Sequence, residues 1–518
     1  MSVPIPIPRL LHYPLCLAAG LASVFAYAPF GLWPLQFAAL GLLFTILAQQ
    51  TSTPRAFLLG WSFGFGCFAF GVYWPYVSMH DYGGLAPPLA GLAVVLFSLL
   101  LGAFTALGMA LANWLARRWQ AGPVLSLLAV YPACWLLAEW LRGWLFTGFP
   151  WLAAGYAHNI SPLAGFAPLL GVYGIGWIAA VIAGTLAVVP ATRRPLGLTA
   201  ALVIGGVLLK LVPWTHPQGQ PISVRLLQGN IPQEEKFQNT HLAETLQMYS
   251  NMLREKPTDL IATPETAIVD PPQALPPDYM ATLLAYSRAS NSHLALGIVL
   301  SDAPYEYTNS LIDVSPTLKP DNLYRYDKHH LVPFGEFIPY GFHWFVAMLN
   351  IPLGDQTSGP LPQRPFAVKD QWVLPNICYE DLFGEEIAAN IEAAAHAGQP
   401  QPTVLLNVSN MAWFGQWLAV PQHVQISQMR ALETGRPVLR ATNTGATAVI
   451  SPQGVVLKQL PPYTRGALEA AVQGYAGLTP YIVCGNTLVV ALAMLILIAA
   501  AASTRKKRLL LPGDLKNR

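Results

Sequence analysis

Three residues in the C-terminal half carry side chains that, brought together, would move an acyl group. Glu265 ends "DLIATPE", Lys328 ends "YRYDK", and Cys378 stands in "WVLPNICYED". Each follows a short β-rich run, so each is expected at a strand exit, where α/β folds place chemistry on a rigid support. A thiol attacks acyl carbons as thiolate, and near neutral pH it needs a base or a positive field to become one. A carboxylate within hydrogen-bond reach can take that proton, the more so if partial burial raises its pKa. An ammonium beside the attacked carbonyl would stabilise the oxyanion. Spacing alone does not single these three out, since many domains contain a Glu, a Lys and a Cys. Glu336 follows Lys328 by eight residues in "YRYDKHHLVPFGEF".

The company of Cys378 adds weight. Cys16, Cys67, Cys134 and Cys484 lie in apolar stretches, where a cysteine behaves as a small hydrophobe. Cys378 stands apart from them, in a polar block. If that block faces an oxidising compartment, a lone thiol has no disulfide partner within it and is exposed to oxidation. Its retention points to use; the plainer alternative is a buried structural cysteine.

The elements that must hold these residues belong to two solvents. Of 518 residues, 53% are hydrophobic and 11% charged, with mean hydropathy +0.42. A globular domain carries about 25% charged residues, so the composition is that of a membrane protein. Between about residues 215 and 475 lie 15 Lys and Arg against 23 Asp and Glu, a net −8; elsewhere 14 face 3, a net +11. Seven apolar stretches precede the acidic block, near 10–28, 31–49, 56–78, 86–115, 123–146, 162–190 and 196–213, and one follows near 480–502. Each approaches or exceeds the roughly 20 residues that cross about 30 Å of hydrocarbon. The first leads straight into further spans and reads as a retained span, not a cleaved signal.

Loop charges set the expected orientation. Arg55, Arg117, Arg118, Arg193, Arg194 and the "TRKKR" tail share one side if the N-terminus is cytoplasmic, and "APFGLWP" and "HDYGG" opposite carry no Lys or Arg. The expected domains are 1–214 with seven spans, 215–475 as an extracytoplasmic catalytic domain, and 476–518 with a last span and a cytoplasmic basic tail.

The acidic block alternates strand-like and helix-like runs. Strands are expected at "ISVRLLQGN", "DLIATPE", "HLALGIVLSD", "YRYDK", "WVLPNICYE", "TVLLNVSN" and "PVLRATN", with a hairpin in "TAVISPQGVVLKQL". Helices are expected at 240–256, 278–289, 384–396 and 421–434. This is the pattern of a layered α/β domain around a buried sheet.

The motifs "TPE", "YDKHHLVPFGEFIP", "NICYED" and "NVSN…WFG" resemble the nitrilase superfamily. The resemblance implies an αββα sandwich carrying a Glu-Lys-Cys triad. Eight spans around such a domain, with "EWLRGWLFTGFPW" and "QMRALETGRPVLRATNTG", resemble the apolipoprotein N-acyltransferases of Gram-negative inner membranes. That family resemblance implies a ping-pong reaction without a cofactor or metal. Cys378 would take an acyl chain from a phospholipid, typically phosphatidylethanolamine, as a thioester. The α-amine of a diacylglyceryl-cysteine at a lipoprotein N-terminus would then accept it. By motif, Glu265 is the general base, Lys328 the oxyanion stabiliser and Glu336 an auxiliary acid; Tyr379 and Glu380 flank the nucleophile. A monomer in the bacterial inner membrane, with its catalytic domain in the periplasm and both termini cytoplasmic, is expected. Two departures stand out: Met411 where the family usually has Asp, and Phe237 where Trp is common.

Aromatic rings favour membrane interfaces, so the loop holding Phe342, Trp344 and Phe345 is expected to be a lid that dips into lipid, with packing on the domain's own core as the alternative. Glu139 and Arg142, an opposite-charge pair in the fifth span, would line a head-group entrance or fix neighbouring helices; ionisable groups in a span are expensive and usually functional. His329 and His330 lack a third metal ligand at suitable spacing. The −8 balance argues against nucleic acid. Two rival readings are a membrane-tethered amidase using water as acceptor, which leaves eight spans unexplained, and a transporter, for which no repeated half is seen.

Overall fold

Apolar helices with few charges have no stable place in water, and among the described residues they make up the first of two compact units, within 1–73, 92–212 and 486–518. The computed structural model describes residues 7–304, 306–319, 323–346 and 355–510, without the side chains of Asn239, Phe345 and 506–510. Among the described residues, five helices are long and apolar enough to cross a membrane: Arg9–Ala26, Pro87–Trp119, Pro123–Arg142, Pro162–Val188 and Thr487–Arg505. A sixth candidate is Thr53–Gly71 with Pro75–Tyr82, bent by 60° at the break. Pro34–Ala48 and Leu196–Leu209 have 15 and 14 residues, short of the roughly 20 that a span needs. Helices therefore stand at all eight expected positions, while five to six reach spanning length.

Pro34 and Pro123 open their helices in the first turn, where a missing N–H costs nothing. Leu96, Leu100 and Leu107 are more than half exposed along Pro87–Trp119, an apolar face that calls for hydrocarbon as solvent. A Cβ on Gly64 would come within 2.7 Å of the Gly102 Cα. Small residues thus let the helices Thr53–Gly71 and Pro87–Trp119 approach backbone to backbone.

The second unit, 74–91 with 213–485, holds two six-stranded sheets. The first runs Gly466–Val472, Ile222–Gln228, Leu260–Ala262, His293–Ala303, Glu306–Val314, Tyr324–Asp327; the second runs Val456–Gln459, Ala448–Ile450, Val438–Thr442, Val404–Ser409, Gln371–Ile377, Phe366–Val368. Each sheet has three parallel strands, extended at its edges by antiparallel pairing. Strand Val438–Thr442 lies on Ile222–Gln228, and Gln371–Ile377 on Glu306–Val314. Helix Tyr279–Ser290 lies on the first sheet and Ala419–Thr434 on the second, giving an αββα sandwich. The core between helices and first sheet is built by Leu246, Leu253, Ile261, Leu283, Leu294 and Ile312. Alternating βα runs produce this because strands buried on both faces are mostly apolar; Val404–Ser409 is buried at every position. The expected elements of the block are present. Among the described residues five strands went unread: Glu306–Val314, Phe366–Val368, Gly466–Val472, and the short pair His216–Pro217 and Tyr475–Ala476.

Candidate active site

Glu265, Lys328 and Cys378 all follow the C-terminal ends of strands, and the two sheets bring those ends together. After Leu260–Ala262 the chain rides over its neighbour: Thr263 N–H donates to the Ala295 carbonyl at 2.9 Å, Gly297 N–H to Thr263 Oγ1 at 2.9 Å, and Ile268 N–H to the Gly297 carbonyl at 3.0 Å. A Cβ on Gly297 would overlap the Pro264 carbonyl, so only glycine lets the Glu265 loop lie this close to the sheet. Lys328 follows Tyr324–Asp327 and donates its N–H to the Asn309 carbonyl at 2.8 Å. Cys378 ends Gln371–Ile377 and begins the 3-10 turn Cys378–Leu382 with φ +53, a left-handed conformation that costs a non-glycine residue about 1–2 kcal/mol.

Lys328 Nζ is 3.0 Å from Glu265 Oε1 and 2.7 Å from Glu336 Oε1, with all three side chains buried. Asn309 Nδ2 reaches both carboxylates, at 2.8 and 3.0 Å. Glu265 Oε2 accepts the Asn410 N–H at 2.8 Å, and Glu336 Oε2 the Val332 N–H at 2.8 Å. Burial disfavours charge on Lys328, but Glu265 and Glu336 outweigh it and raise its pKa, so it stays an ammonium. Burial likewise pushes the Glu265 carboxyl up, yet Lys328 and Lys236 outweigh it, and the group lies below its ordinary value. The thiol of Cys378 goes the other way. Burial and the Glu265 charge push it well up, and Lys328 offsets them only in part. These mutual influences place the three groups in one site. Burial was expected to raise the Glu265 pKa; instead Glu265 is a carboxylate held ionised by two ammonium groups, with the Cys378 thiol protonated.

Glu380 is also buried. Its Oε2 accepts the Ile377 N–H at 2.6 Å and the Tyr326 hydroxyl at 3.0 Å, and its Oε1 accepts the His329 N–H at 2.7 Å. It ties the exit of the Cys378 strand to the exit of the Lys328 strand. Burial pushes its carboxyl up to about 7. The Tyr379 ring packs on Phe383 and His330, which stacks on Phe383 and pairs with Glu386 at 2.8 Å.

Two residues that the sequence reading passed over belong here. Lys236, buried and pulled down to about 8 by burial, donates to the Glu265 carbonyl at 3.0 Å and to Thr266 Oγ1 at 2.7 Å. Its signal was faint: a lysine in "EEKFQN" looks like surface. Asn309 sits on the unread strand Glu306–Val314. The departures lie close by: Phe237 faces Trp413 at 6.5 Å between ring centres, and Met411 is buried in the turn Met411–Phe414.

The loop residues Phe342 and Trp344 are 44% and 65% exposed; the Phe345 side chain lies outside the described residues. In the apolar unit, Arg142 stands 3.9 Å from Glu139, caps the Phe149 and Trp151 carbonyls, and lies over the Phe68 ring. Glu139 Oε1 accepts the Ala154 N–H at 2.8 Å.

Residues 19–185 match the apolipoprotein N-acyltransferase N-terminal domain, and residues 223–481 the carbon-nitrogen hydrolase family. An apolipoprotein N-acyltransferase of Ralstonia nicotianae is 48% identical over 94% of this chain and 92% of its own length. One from Nitrosomonas europaea is 44% identical over 92% of this chain and 94% of its own. The chain belongs to the apolipoprotein N-acyltransferase family. For that family, the αββα unit is its nitrilase-like carbon-nitrogen hydrolase fold, and the apolar helices make the chain a membrane protein.

Proposed function

We propose that the chain is an N-acyltransferase that moves a fatty acyl group from a phospholipid, typically phosphatidylethanolamine, to the α-amine of an apolipoprotein's N-terminal diacylglyceryl-cysteine. The observation that carries this reading is the buried Glu265–Lys328 pair at 3.0 Å, set beside a thiol on a strained strand exit. Glu265 is the base, Lys328 the oxyanion donor, Cys378 the nucleophile.

In the first step Glu265 takes the Cys378 proton as sulfur attacks the ester carbon. The negative charge passes from thiolate to carbonyl oxygen, where Lys328 and the backbone N–H after Cys378 meet it. The carbon–oxygen bond then breaks, the proton goes to the departing lysophospholipid oxygen, and a thioester remains. In the second step the acceptor amine attacks the thioester, its proton passes to Glu265, and the carbon–sulfur bond breaks to restore the thiol. Holding the thiol protonated at rest suits this order, because charge appears only when a carbonyl is present to receive it. Glu336 fixes the Lys328 ammonium and Glu380 the two strand exits. The short contacts of Glu139 and Arg142 within their own unit favour the helix-fixing role over a head-group entrance. The loop with Phe342, Trp344 and Phe345 acts as a lid over lipid. The loop arginines support an orientation with the catalytic domain periplasmic and both termini cytoplasmic; the family points to the bacterial inner membrane, where the chain acts as a monomer.

The test uses labelled phosphatidylethanolamine. The protein should acquire a hydroxylamine-labile acyl label that chases to a diacylglyceryl peptide, and Cys378→Ser should abolish it. A label that survives this substitution would refute the nucleophile.

A further inference from the structure

Behind the nucleophile lies a buried polar network that the two chemical steps do not use. His423 Nε2 is 3.2 Å from the Cys378 carbonyl oxygen, and Asn407 Nδ2 is 3.4 Å from it. Arg440 Nη2 lies 2.8 Å from His423 Nδ1. A guanidinium only donates, so Nδ1 must be the acceptor, and the proton of the imidazole sits on Nε2, aimed at the Cys378 carbonyl. Arg440 also pairs with Asp381 at 3.2 Å and contacts Ser427, which bonds Asp381. Asp381 belongs to the same 3-10 turn as Cys378, so the network leaves the nucleophile by its carbonyl and returns three residues later. His423, Asp381, Ser427 and Arg440 are each 1% exposed or less. Burial and the Arg440 charge hold the His423 pKa well below its ordinary value, in keeping with a neutral ring of one fixed tautomer.

A planar trans peptide points its carbonyl and its N–H in opposite directions. Fixing the Cys378 carbonyl therefore fixes the direction of the N–H that follows it. We propose that His423 is a positioning residue for acyl transfer: its Nε2–H holds the Cys378–Tyr379 peptide, in its left-handed setting, so that this peptide's N–H faces the oxyanion. Arg440, clamped by Asp381 and Ser427, selects the tautomer that can do this. The inference rests on the reading of Cys378 as the acylated residue.

Acylation and alkylation separate the two. Attack on an ester builds an oxyanion, while alkylation of the thiol by iodoacetamide does not. In His423→Ala, and in His423→Phe, which keeps a ring but no donor, acyl-enzyme formation should slow toward the loss of about 10²- to 10³-fold seen on losing an oxyanion-hole donor. The iodoacetamide rate at Cys378 and the thermal midpoint should stay close to the parent's, and KM for phospholipid should not rise. His423→Gln, which can place an amide N–H near the same carbonyl, should recover part of the rate. Unchanged acylation would overturn the proposal, and so would acylation, alkylation and stability falling together. Parent protein that alkylates at Cys378 yet never carries an acyl label would instead refute the nucleophile.

Discussion

Glu265 is buried between two ammonium groups, and burial and charge pull its pKa in opposite directions. Charge wins, so the base stays ready to accept a proton well into mild acid. The acid limb of thioester formation should then lie below the ordinary carboxylate value of 4.5. Lys236→Met removes one of the two cations, lets burial count for more, and should move that limb to higher pH in a pH–rate profile of acyl-label formation. An unmoved limb would show that Lys236 does not tune the base. Glu265→Gln should lower the acylation rate about 10²- to 10⁴-fold, as expected on losing a general base. Glu265, Lys328 and Cys378 were legible as strand-exit residues because they close short strand-like runs. Lys236 was not, since its burial depends on long-range packing that a lysine between two glutamates and Phe237 does not advertise.

The strand exits are aligned by Glu380, whose two oxygens accept from Ile377, Tyr326 and His329. Glu380→Gln should be far from conservative. An amide nitrogen at either position would point hydrogens at existing donors, costing about 1–3 kcal/mol for the groups left unsatisfied, and should lower the thermal midpoint and the acylation rate together. The pH sign follows from its raised pKa. The folded state holds that proton more tightly than the unfolded chain, so stability is full below about 4.5 and is lost as pH rises toward about 7. In Glu380→Gln this part of the slope should vanish from melts recorded across that window; an unaltered slope would assign it elsewhere. Strand positions were readable wherever a buried strand opens on an apolar run, as Val404, Leu405 and Leu406 do in Val404–Ser409. Glu306–Val314 escaped because Glu306, Tyr307, Thr308 and Asn309 give it a polar start, although Asn309 is what that strand contributes to both carboxylates. Gly466–Val472 escaped for a similar reason: an edge strand beginning with glycine and rich in alanine carries little β-propensity.

Two solvents are written into the chain, and the acidic block and apolar remainder separate cleanly at the level of charge. Span number is less direct, because composition sets hydropathy whereas helix ends are set by turns. Pro34–Ala48 and Leu196–Leu209 are apolar throughout but only 15 and 14 residues long. The αββα unit has its own apolar exposure: Tyr340 is fully exposed, and Phe342, Trp344 and Trp417 are 44%, 65% and 76% exposed. A bilayer interface favours such exposed aromatic rings. Exchanging Phe342, Trp344 and Phe345 for alanine together should therefore leave the fold and the iodoacetamide reactivity of Cys378 intact, since Phe342 and Trp344 are not part of the buried core. Acyl transfer from phospholipid in vesicles should fall about 10-fold or more, given roughly 1.5–3 kcal/mol for each large apolar side chain moved from water into lipid. A short-chain, water-soluble ester needs no lid, so its cleavage should be spared. Equal losses on both donors would place these rings in the reaction itself, and unchanged turnover of vesicle lipid would remove the lid.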